Sequence, residues 1–195
     1  MLTGTFDPVH LGHTAMAGAA LATFKLDQIW LWINAEAAHK AGVTPFADRL
    51  AMARLAVAGS ERLSVYEGEL SRHPHNNVET FAGLARRHPE SELYYIVGAD
   101  TLATVDRWDD VETVVTQTTF LVAERGSVGA VRVADELRWR LGALGDRLRA
   151  EVFEFAGYDG ASSLRVRAQL AAGEWPEALD ERVYQYTLAH NLYRD

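Results

Sequence analysis

The stretch Thr3–His13, TGTFDPVHLGH, gives the strongest indication of the fold and of the chemistry. Its Asp-Pro step at positions 7–8 is a turn and helix-entry signal. His10 and His13 follow at a separation of three residues. On a first helical turn, that spacing places both imidazoles on one face. The stretch therefore predicts a tight turn that leads into a helix, with two histidines side by side at its start.

Such an arrangement predicts a phosphate site. Gly4 permits a tight turn and a close approach of the backbone to a ligand. Backbone amides at a helix start favour phosphate through the helix dipole and their unpaired N–H groups. Two imidazoles beside them can donate hydrogen bonds to phosphate oxygens and stabilise charge on a pentacoordinate phosphorus. A bare HxxH pattern is also compatible with chance or with half a metal site, so the flanking T-G-T-F-D-P residues carry the specificity.

Outward from this stretch, apolar strand-like runs alternate with helix-like segments. Strands are predicted over 26–34, 63–67, 93–97, 118–123 and 152–155, and helices over 46–58, 78–87, 131–149, 163–171 and 176–190. Strands separated by helices imply right-handed crossovers and a mainly parallel sheet. The predicted fold class is therefore α/β, a parallel sheet with helices on both faces, with ligands bound beyond the carboxyl ends of the strands.

Composition narrows the class of protein further. The 195 residues favour one compact domain over 1–195, and 48% hydrophobic residues suffice for a packed core. The absence of cysteine excludes disulfides and cysteine-ligated metals. A net charge of −8 argues against general binding to nucleic acid. Because no apolar run approaches a membrane helix and no signal peptide is recognisable, we expect a cytoplasmic protein without a membrane partner.

A second segment, 160–167, reads GASSLRVR and follows the last predicted strand. Ser162 or Ser163 can cap the next helix, and Arg167 lies about one turn into it on a similar face. A hydroxyl cap, helix-start amides and a guanidinium form a second phosphate clamp. Since a Ser-Ser helix start by itself is usually only a cap, this prediction depends on the first stretch. The clamp belongs to a C-terminal helical part, 161–195.

Both segments resemble motifs of the adenylyltransferase and cytidylyltransferase superfamily, G-[ST]-F-[DN]-P-x-H-x-G-H and I-S-S-T-x-I-R. The second motif lacks one hydroxyl here, because Leu164 replaces its threonine. The resemblance implies a Rossmann-like fold in which a substrate phosphate attacks the α-phosphorus of ATP directly and pyrophosphate leaves, with Mg²⁺ assisting. It implies His10, His13 and Arg167 as catalytic residues and no protein metal ligands. The implied ATP-binding residues are Gly4, Thr5, Phe6, Asp100, Ser162 and Ser163.

Along nearly its whole length the chain is similar to the bacterial nicotinate-nucleotide adenylyltransferases. AAHK at 37–40 stands where that family has P-P-H-K, and GADTL at 98–102 matches G-x-D-[ST]-L. The helix at 46–55 matches the family at Arg49 and Met52, which we interpret as core packing. The tail, 175–193, matches the family's final helix and is interpreted as structural. The implied substrate-binding residues are His39, Lys40, Thr80, Trp108, which would stack on the pyridine ring, and Arg125.

The resemblance leaves the acceptor open. Ala37, Ala38, Asn77 and Glu79 depart from the family in the expected acceptor pocket. Nicotinate mononucleotide is the predicted acceptor and ATP the co-substrate, while nicotinamide mononucleotide or another phosphorylated metabolite is an alternative. A non-catalytic nucleotide-binding protein is a second alternative. A homo-oligomer also stays open.

The start of the chain departs from the family most clearly. The family has a hydrophobic strand before its glycine motif, whereas only three residues precede Gly4 here. That strand is normally central in the sheet, and a shortened one would leave backbone groups unpaired. We therefore expect either that the natural start lies upstream or that most of a central strand is missing.

Overall fold

The computed structural model describes residues 1–34, 42–67, 77–124, 129–158 and 160–194, and over 77–81 it describes the backbone only. Within these residues six strands form one sheet: β1 (Leu2–Gly4), β2 (Ile29–Ile33), β3 (Leu63–Val65), β4 (Tyr94–Gly98), β5 (Thr119–Glu124) and β6 (Ala150–Glu154). Their order is β3-β2-β1-β4-β5-β6, with parallel pairing. This is the strand order of a Rossmann sheet, and it confirms the predicted fold class.

Helices connect the strands. They are α1 (Leu11–Thr23), α2 (Phe46–Val57), α3 (Asn77–Arg87), α4 (Ala99–Leu102), α5 (Val111–Gln117), α6 (Ala130–Leu141), α7 (Ser163–Ala171) and α8 (Glu181–Ala189). Two 3₁₀ segments, Val105–Arg107 and Gly142–Arg147, follow α4 and α6. Among the described residues, no helix combines the length and the apolar character needed to cross a bilayer.

The chain divides into two compact units. One comprises Met1–Leu2 with Gly68–Phe155, and the other comprises Thr3–Glu67 with Ala156–Asp195. The first unit contains β4, β5 and β6, and its core includes the fully buried side chains of Phe120, Leu121 and Leu137. The second contains β2 and β3 with α1, α2, α7 and α8, and it buries Ile29, Leu31, Met52 and Val183. The prediction of a single domain over 1–195 stays a prediction.

Strand β1 is short but occupies the middle of the sheet. Leu2 is in register with Ile96 of β4, and the Ile96 N–H donates to the Met1 carbonyl at 2.8 Å. On the other edge of β1, the Asn34 N–H donates to the Gly4 carbonyl at 3.0 Å. This central strand is therefore short and paired on both edges, and the alternatives of an upstream start or a shortened strand stay predictions.

Two helix predictions were too long. The helix predicted over 131–149 ends at Leu141, because Gly142 adopts a left-handed φ of 58°. Beyond Gly142 the backbone packs closely against the end of the helix. A Cβ on Gly145 would lie 2.1 Å from the Arg138 carbonyl oxygen. The helix predicted over 176–190 begins at Glu181, where Asp180 caps it by accepting the Arg182 N–H at 2.9 Å.

Candidate active site

The two histidines of the first motif lie together at the start of α1. His10 is the residue that precedes the helix, and His13 is its third residue. Their rings stack with centroids 3.7 Å apart, and the His10 backbone N–H donates to Nδ1 of His13 at 3.1 Å. His10 is buried and His13 is half-buried. The predicted side-by-side arrangement is therefore found, with His10 just outside the helix.

The hydrogen bond to His13 selects one tautomer of its ring. Nδ1 accepts a hydrogen bond from the backbone N–H of His10, so the proton of the neutral imidazole is on Nε2. Nε2–H is consequently a hydrogen-bond donor on the far side of the ring. The ring of Phe6 contacts His13 edge-on with centroids 4.9 Å apart, which restrains the imidazole further.

Two glycines of the motif make room for these rings. A Cβ on Gly12 would lie 3.0 Å from Nδ1 of His10, so glycine leaves the imidazole the space that it occupies against the helix start. A Cβ on Gly4 would meet the Phe6 ring at 3.2 Å. The left-handed backbone of this turn occurs at Phe6, whose φ is 48°. Gly4 therefore serves the placement of the Phe6 ring.

The second motif anchors the turn that leads to His10. Ser162 caps α7 by accepting the Arg165 N–H at 3.2 Å, as predicted. The Ser163 hydroxyl donates to the Pro8 carbonyl at 2.9 Å, and Nη1 of Arg167 donates to the Asp7 carbonyl at 2.6 Å. The structure therefore brings the two predicted phosphate motifs together at the peptides of residues 7 and 8.

Asp7 itself was predicted only as a turn residue, and the structure gives it a larger role. Its side chain is buried, and Oδ1 accepts the Tyr193 hydroxyl at 2.7 Å. Oδ2 accepts the Thr44 N–H at 3.4 Å and lies 3.9 Å from Nη1 of Arg167. Tyr193 follows the end of α8 at a left-handed φ of 62°, so helical periodicity gave no signal of this contact.

Arg49 of α2 donates hydrogen bonds to the backbone around the same turn. Its side chain is 2% exposed, and it donates to three backbone carbonyls, those of Thr5, Asn34 and Thr44, each at 2.8 Å. Burial lowers the pKa of Arg49 from its usual value, and the charge of Asp7 opposes that shift. We interpreted this residue as core packing, but its contacts are polar. The sequence indicated this role by placing a charged guanidinium at a helix position that faces the core.

The remaining predicted site residues lie elsewhere or are not described. Asp100 is exposed on α4, and a Cβ at position 98 would lie 2.6 Å from its Oδ1, so a larger residue there would require the Asp100 side chain to move. Trp108 is half-buried after the 3₁₀ segment, and its ring centroid lies 5.8 Å from Tyr95 and 6.4 Å from Phe120. The backbone of Thr80 belongs to α3. The predictions for His39, Lys40 and Arg125 lie outside the described residues.

The charges at this site suit an anion. Two imidazoles, the guanidinium of Arg167 and the N-terminal amides of α1 and α7 belong to the same compact unit. In the described parts of the chain, no group of three His, Asp or Glu side chains could hold a metal ion. The imidazoles, the guanidinium and the helix-start amides can bind and polarise phosphoryl oxygens.

Comparison with known proteins identifies the class. A model of the cytidylyltransferase-like family matches residues 1–169, a range that spans both phosphate motifs. The chain belongs to this family of nucleotidyltransferases.

Its relatives narrow the assignment. Probable nicotinate-nucleotide adenylyltransferases of Symbiobacterium thermophilum and Gloeobacter violaceus are each 34% identical, over 99% and 97% of this chain and 93% of their own lengths. One from a Synechococcus strain is 35% identical over the whole chain and 94% of its own length. The chain is a member of the nicotinate-nucleotide adenylyltransferase family, which confirms the resemblance found in its motifs.

A solved structure shares the fold. Plasmodium falciparum nicotinic acid mononucleotide adenylyltransferase, complexed with NaAD, matches with a TM-score of 0.77 at 18% identity. The match covers 98% of this chain and 95% of the other.

Proposed function

We propose that the protein transfers the adenylyl group of ATP to the phosphate of nicotinate mononucleotide, giving nicotinate adenine dinucleotide and pyrophosphate. The observation that carries this proposal is the stacked pair His10–His13, with Arg167 donating to the turn that precedes it. Family membership supports the choice of reaction, because relatives similar over almost the whole chain carry the name of this activity.

The reaction needs no covalent intermediate on the protein. An oxygen of the mononucleotide phosphate attacks the α-phosphorus of ATP, and a new P–O bond forms. The bond between the α-phosphorus and the oxygen that bridges to the β-phosphate breaks, and pyrophosphate leaves. Negative charge grows on the equatorial and leaving oxygens, where the Nε2–H of His13 and the guanidinium of Arg167 stabilise it.

Other residues are proposed to hold the two substrates. Helix-start amides at α1 and α7 favour the triphosphate, together with the turn at 4–6 and the serines at 162–163. Asp100 would meet the ribose. Trp108 offers an aromatic plane to the pyridine ring. His39, Lys40, Thr80 and Arg125 are proposed to bind the mononucleotide on the strength of the family motif.

Magnesium is proposed to enter as part of the substrate. Mg²⁺ keeps several waters and binds through substrate phosphates more often than through a protein cage. The lack of a side-chain metal cluster in the described residues is compatible with an ion that arrives as MgATP. We also propose a cytoplasmic protein, and its assembly state is to be measured by light scattering.

The test is a panel of acceptors with ATP and Mg²⁺, read by pyrophosphate release and by mass spectrometry of the dinucleotide. We expect the highest kcat/KM with nicotinate mononucleotide. A preference for nicotinamide mononucleotide or another phosphorylated metabolite would change the acceptor and keep the chemistry. Binding of ATP without turnover on any acceptor would instead identify a nucleotide-binding protein.

A further inference from the structure

The carboxylate of Asp7 lies between a tyrosine and an arginine. Oδ1 accepts the Tyr193 hydroxyl at 2.7 Å, while Oδ2 accepts the Thr44 N–H at 3.4 Å. The Arg167 guanidinium comes no closer than 3.9 Å to Oδ2, although its Nη1 donates to the Asp7 backbone carbonyl at 2.6 Å. A carboxylate and a guanidinium that interact directly approach to about 2.8 Å. The two side chains are therefore adjacent without forming a full ion pair.

We propose that Tyr193 is a positioning residue that holds the Asp7 carboxylate away from Arg167 and so keeps the guanidinium available to the triphosphate of ATP. Loss of the hydroxyl would let the carboxylate turn toward Arg167 and pair with it. A paired guanidinium is a weaker donor to phosphate, because the same N–H groups and charge are already engaged. This inference rests on the proposed function and adds to it a residue from the C-terminal tail that we had interpreted as structural.

The protonation state of the Tyr193 hydroxyl supports this role. Burial is the main cause that raises the pKa of Tyr193 above its usual value, and the hydrogen bond to Asp7 raises it further, against an opposing contribution from Thr44. The hydroxyl therefore keeps its proton and acts as a donor. The contact is also buried at the acceptor end, since Asp7 is 5% exposed, and water competes poorly for such a hydrogen bond.

A matched control exists on the preceding helix. Tyr186 of α8 donates its hydroxyl to Oδ1 of Asp48 at 2.9 Å. This bond has the same chemistry as the one between Tyr193 and Asp7, but Asp48 lies on α2 and makes no described contact with Arg167. Tyr186→Phe and Tyr193→Phe therefore remove equivalent hydroxyls, and only the second removal is expected to affect phosphate binding.

The experiment compares five proteins: wild type, Tyr193→Phe, Tyr186→Phe, Asp7→Asn and the double variant Asp7→Asn/Tyr193→Phe. For each we would measure the Kd of ATP by calorimetry, the KM of ATP and kcat with nicotinate mononucleotide, and the Tm. We expect Tyr193→Phe to raise the Kd and KM of ATP about tenfold, the factor that corresponds to one hydrogen bond to a charged group. Tyr186→Phe is expected to keep the Kd and KM of ATP within about twofold of wild type, with a smaller decrease of Tm because Asp48 is less buried than Asp7.

Asparagine at position 7 cannot attract Arg167 as a carboxylate does, so the hydroxyl of Tyr193 loses its role there. Asp7→Asn and the double variant are expected to bind ATP within about twofold of each other. If Tyr193→Phe does not fold, this pair still tests the proposal, because a large difference between the two proteins would show that Tyr193 affects ATP binding independently of the Asp7 carboxylate. Equal ATP affinity in Tyr193→Phe and Tyr186→Phe, or a tenfold difference between the two proteins that carry Asp7→Asn, overturns the proposal.

The proposed function can be contradicted independently of the role of Tyr193. A wild type that binds ATP but turns over no acceptor contradicts the adenylyl transfer, while the Kd comparison still tests Tyr193. A wild type that does not bind ATP overturns both proposals.

Discussion

His10 and His13 are in direct contact: the backbone N–H of His10 donates to Nδ1 of His13, and their ring centroids lie 3.7 Å apart. Packing restrains the pair, since His10 is buried and the Phe6 ring contacts His13 edge-on. A preorganised donor loses little entropy when a phosphate binds, which is the physical advantage of this arrangement.

Replacing His13 by alanine is expected to lower kcat by about 100-fold or more, because a preorganised donor to the developing charge is lost. The measurement is the initial rate of pyrophosphate release at saturating ATP. His190→Ala serves as the control, since that histidine is exposed and stacks on Tyr186 rather than on the motif. A His13→Ala protein within about threefold of wild type would contradict the assigned role.

Gly12→Ala is expected to reduce kcat/KM about tenfold or more, because the new Cβ would lie 3.0 Å from Nδ1 of His10 and displace the ring. Gly18→Ala on the same helix is the matched control, since a Cβ there meets nothing within 4 Å. That control should stabilise the protein by about 0.5–1 kcal/mol and leave turnover unchanged. Equal kinetics in the two variants would show that the His10 ring does not need this space.

Arg49→Met is expected to reduce the free energy of unfolding by about 3 kcal/mol or more. The guanidinium is buried, and its loss leaves three carbonyl oxygens without their donor. Arg54→Met on the same helix removes an ion pair with Glu67 that is about half exposed, so it should cost at most about 1 kcal/mol. Urea titration measures both, and comparable losses would refute the assignment of Arg49 as the anchor of this loop.

In a protein produced with Met1 as its first residue and a free amine, stability is expected to fall in acid. The Met1 ammonium donates to the Tyr94 carbonyl at 2.6 Å, and burial lowers its pKa from 8.0 to about 5. The unfolded chain therefore binds the additional proton between these values, and the free energy of unfolding decreases as the pH falls from about 8 to about 5. The loss is on the order of 4 kcal/mol over the window.

The check on this pH dependence is an Nα-acetylated protein, which has no amine to titrate. Urea unfolding of both proteins at several pH values gives two curves, and their difference isolates the Met1 contribution from that of the histidines. Curves that run parallel between pH 8 and 5 would be incompatible with a buried amine.

Trp108→Ala is expected to raise the KM of the pyridine mononucleotide about tenfold, the usual size of one stacking contact, and to leave the KM of ATP within about twofold. Trp139→Ala is the control, because that side chain is 83% exposed. A parallel rise of both KM values would indicate that the change disturbs the packing against Tyr95 and Phe120 instead of a stacking surface.

Local chemistry explains what could be predicted from the sequence. Helix α7 begins and ends where predicted, because a serine cap and its apolar spacing lie within a few residues of each other. The His10–His13 pair was likewise encoded within one helical turn. Helix α6 ended early because Gly142 and Gly145 favour a tightly turned backbone, which hydrophobic periodicity does not detect.

The rest of the site depends on contacts that no local pattern encodes. Nothing near Asp7 in the sequence indicates that Tyr193 donates to it, and the interpretation of the tail as structural missed this contact. The roles of the site residues in binding and catalysis stay predictions. The family motif could nevertheless indicate which residues meet, because it groups positions that are distant along the chain.

The turn at residues 7–8 is held by three side chains that follow it at separations of 155, 160 and 186 residues. The histidine motif is synthesised before all three anchors, and the last of them, Tyr193, is added 186 residues after Asp7. Contacts between residues so far apart in the sequence form slowly and late in folding. A chain that is interrupted before Ser163 consequently carries both histidines of the motif but none of the three side chains that hold its turn.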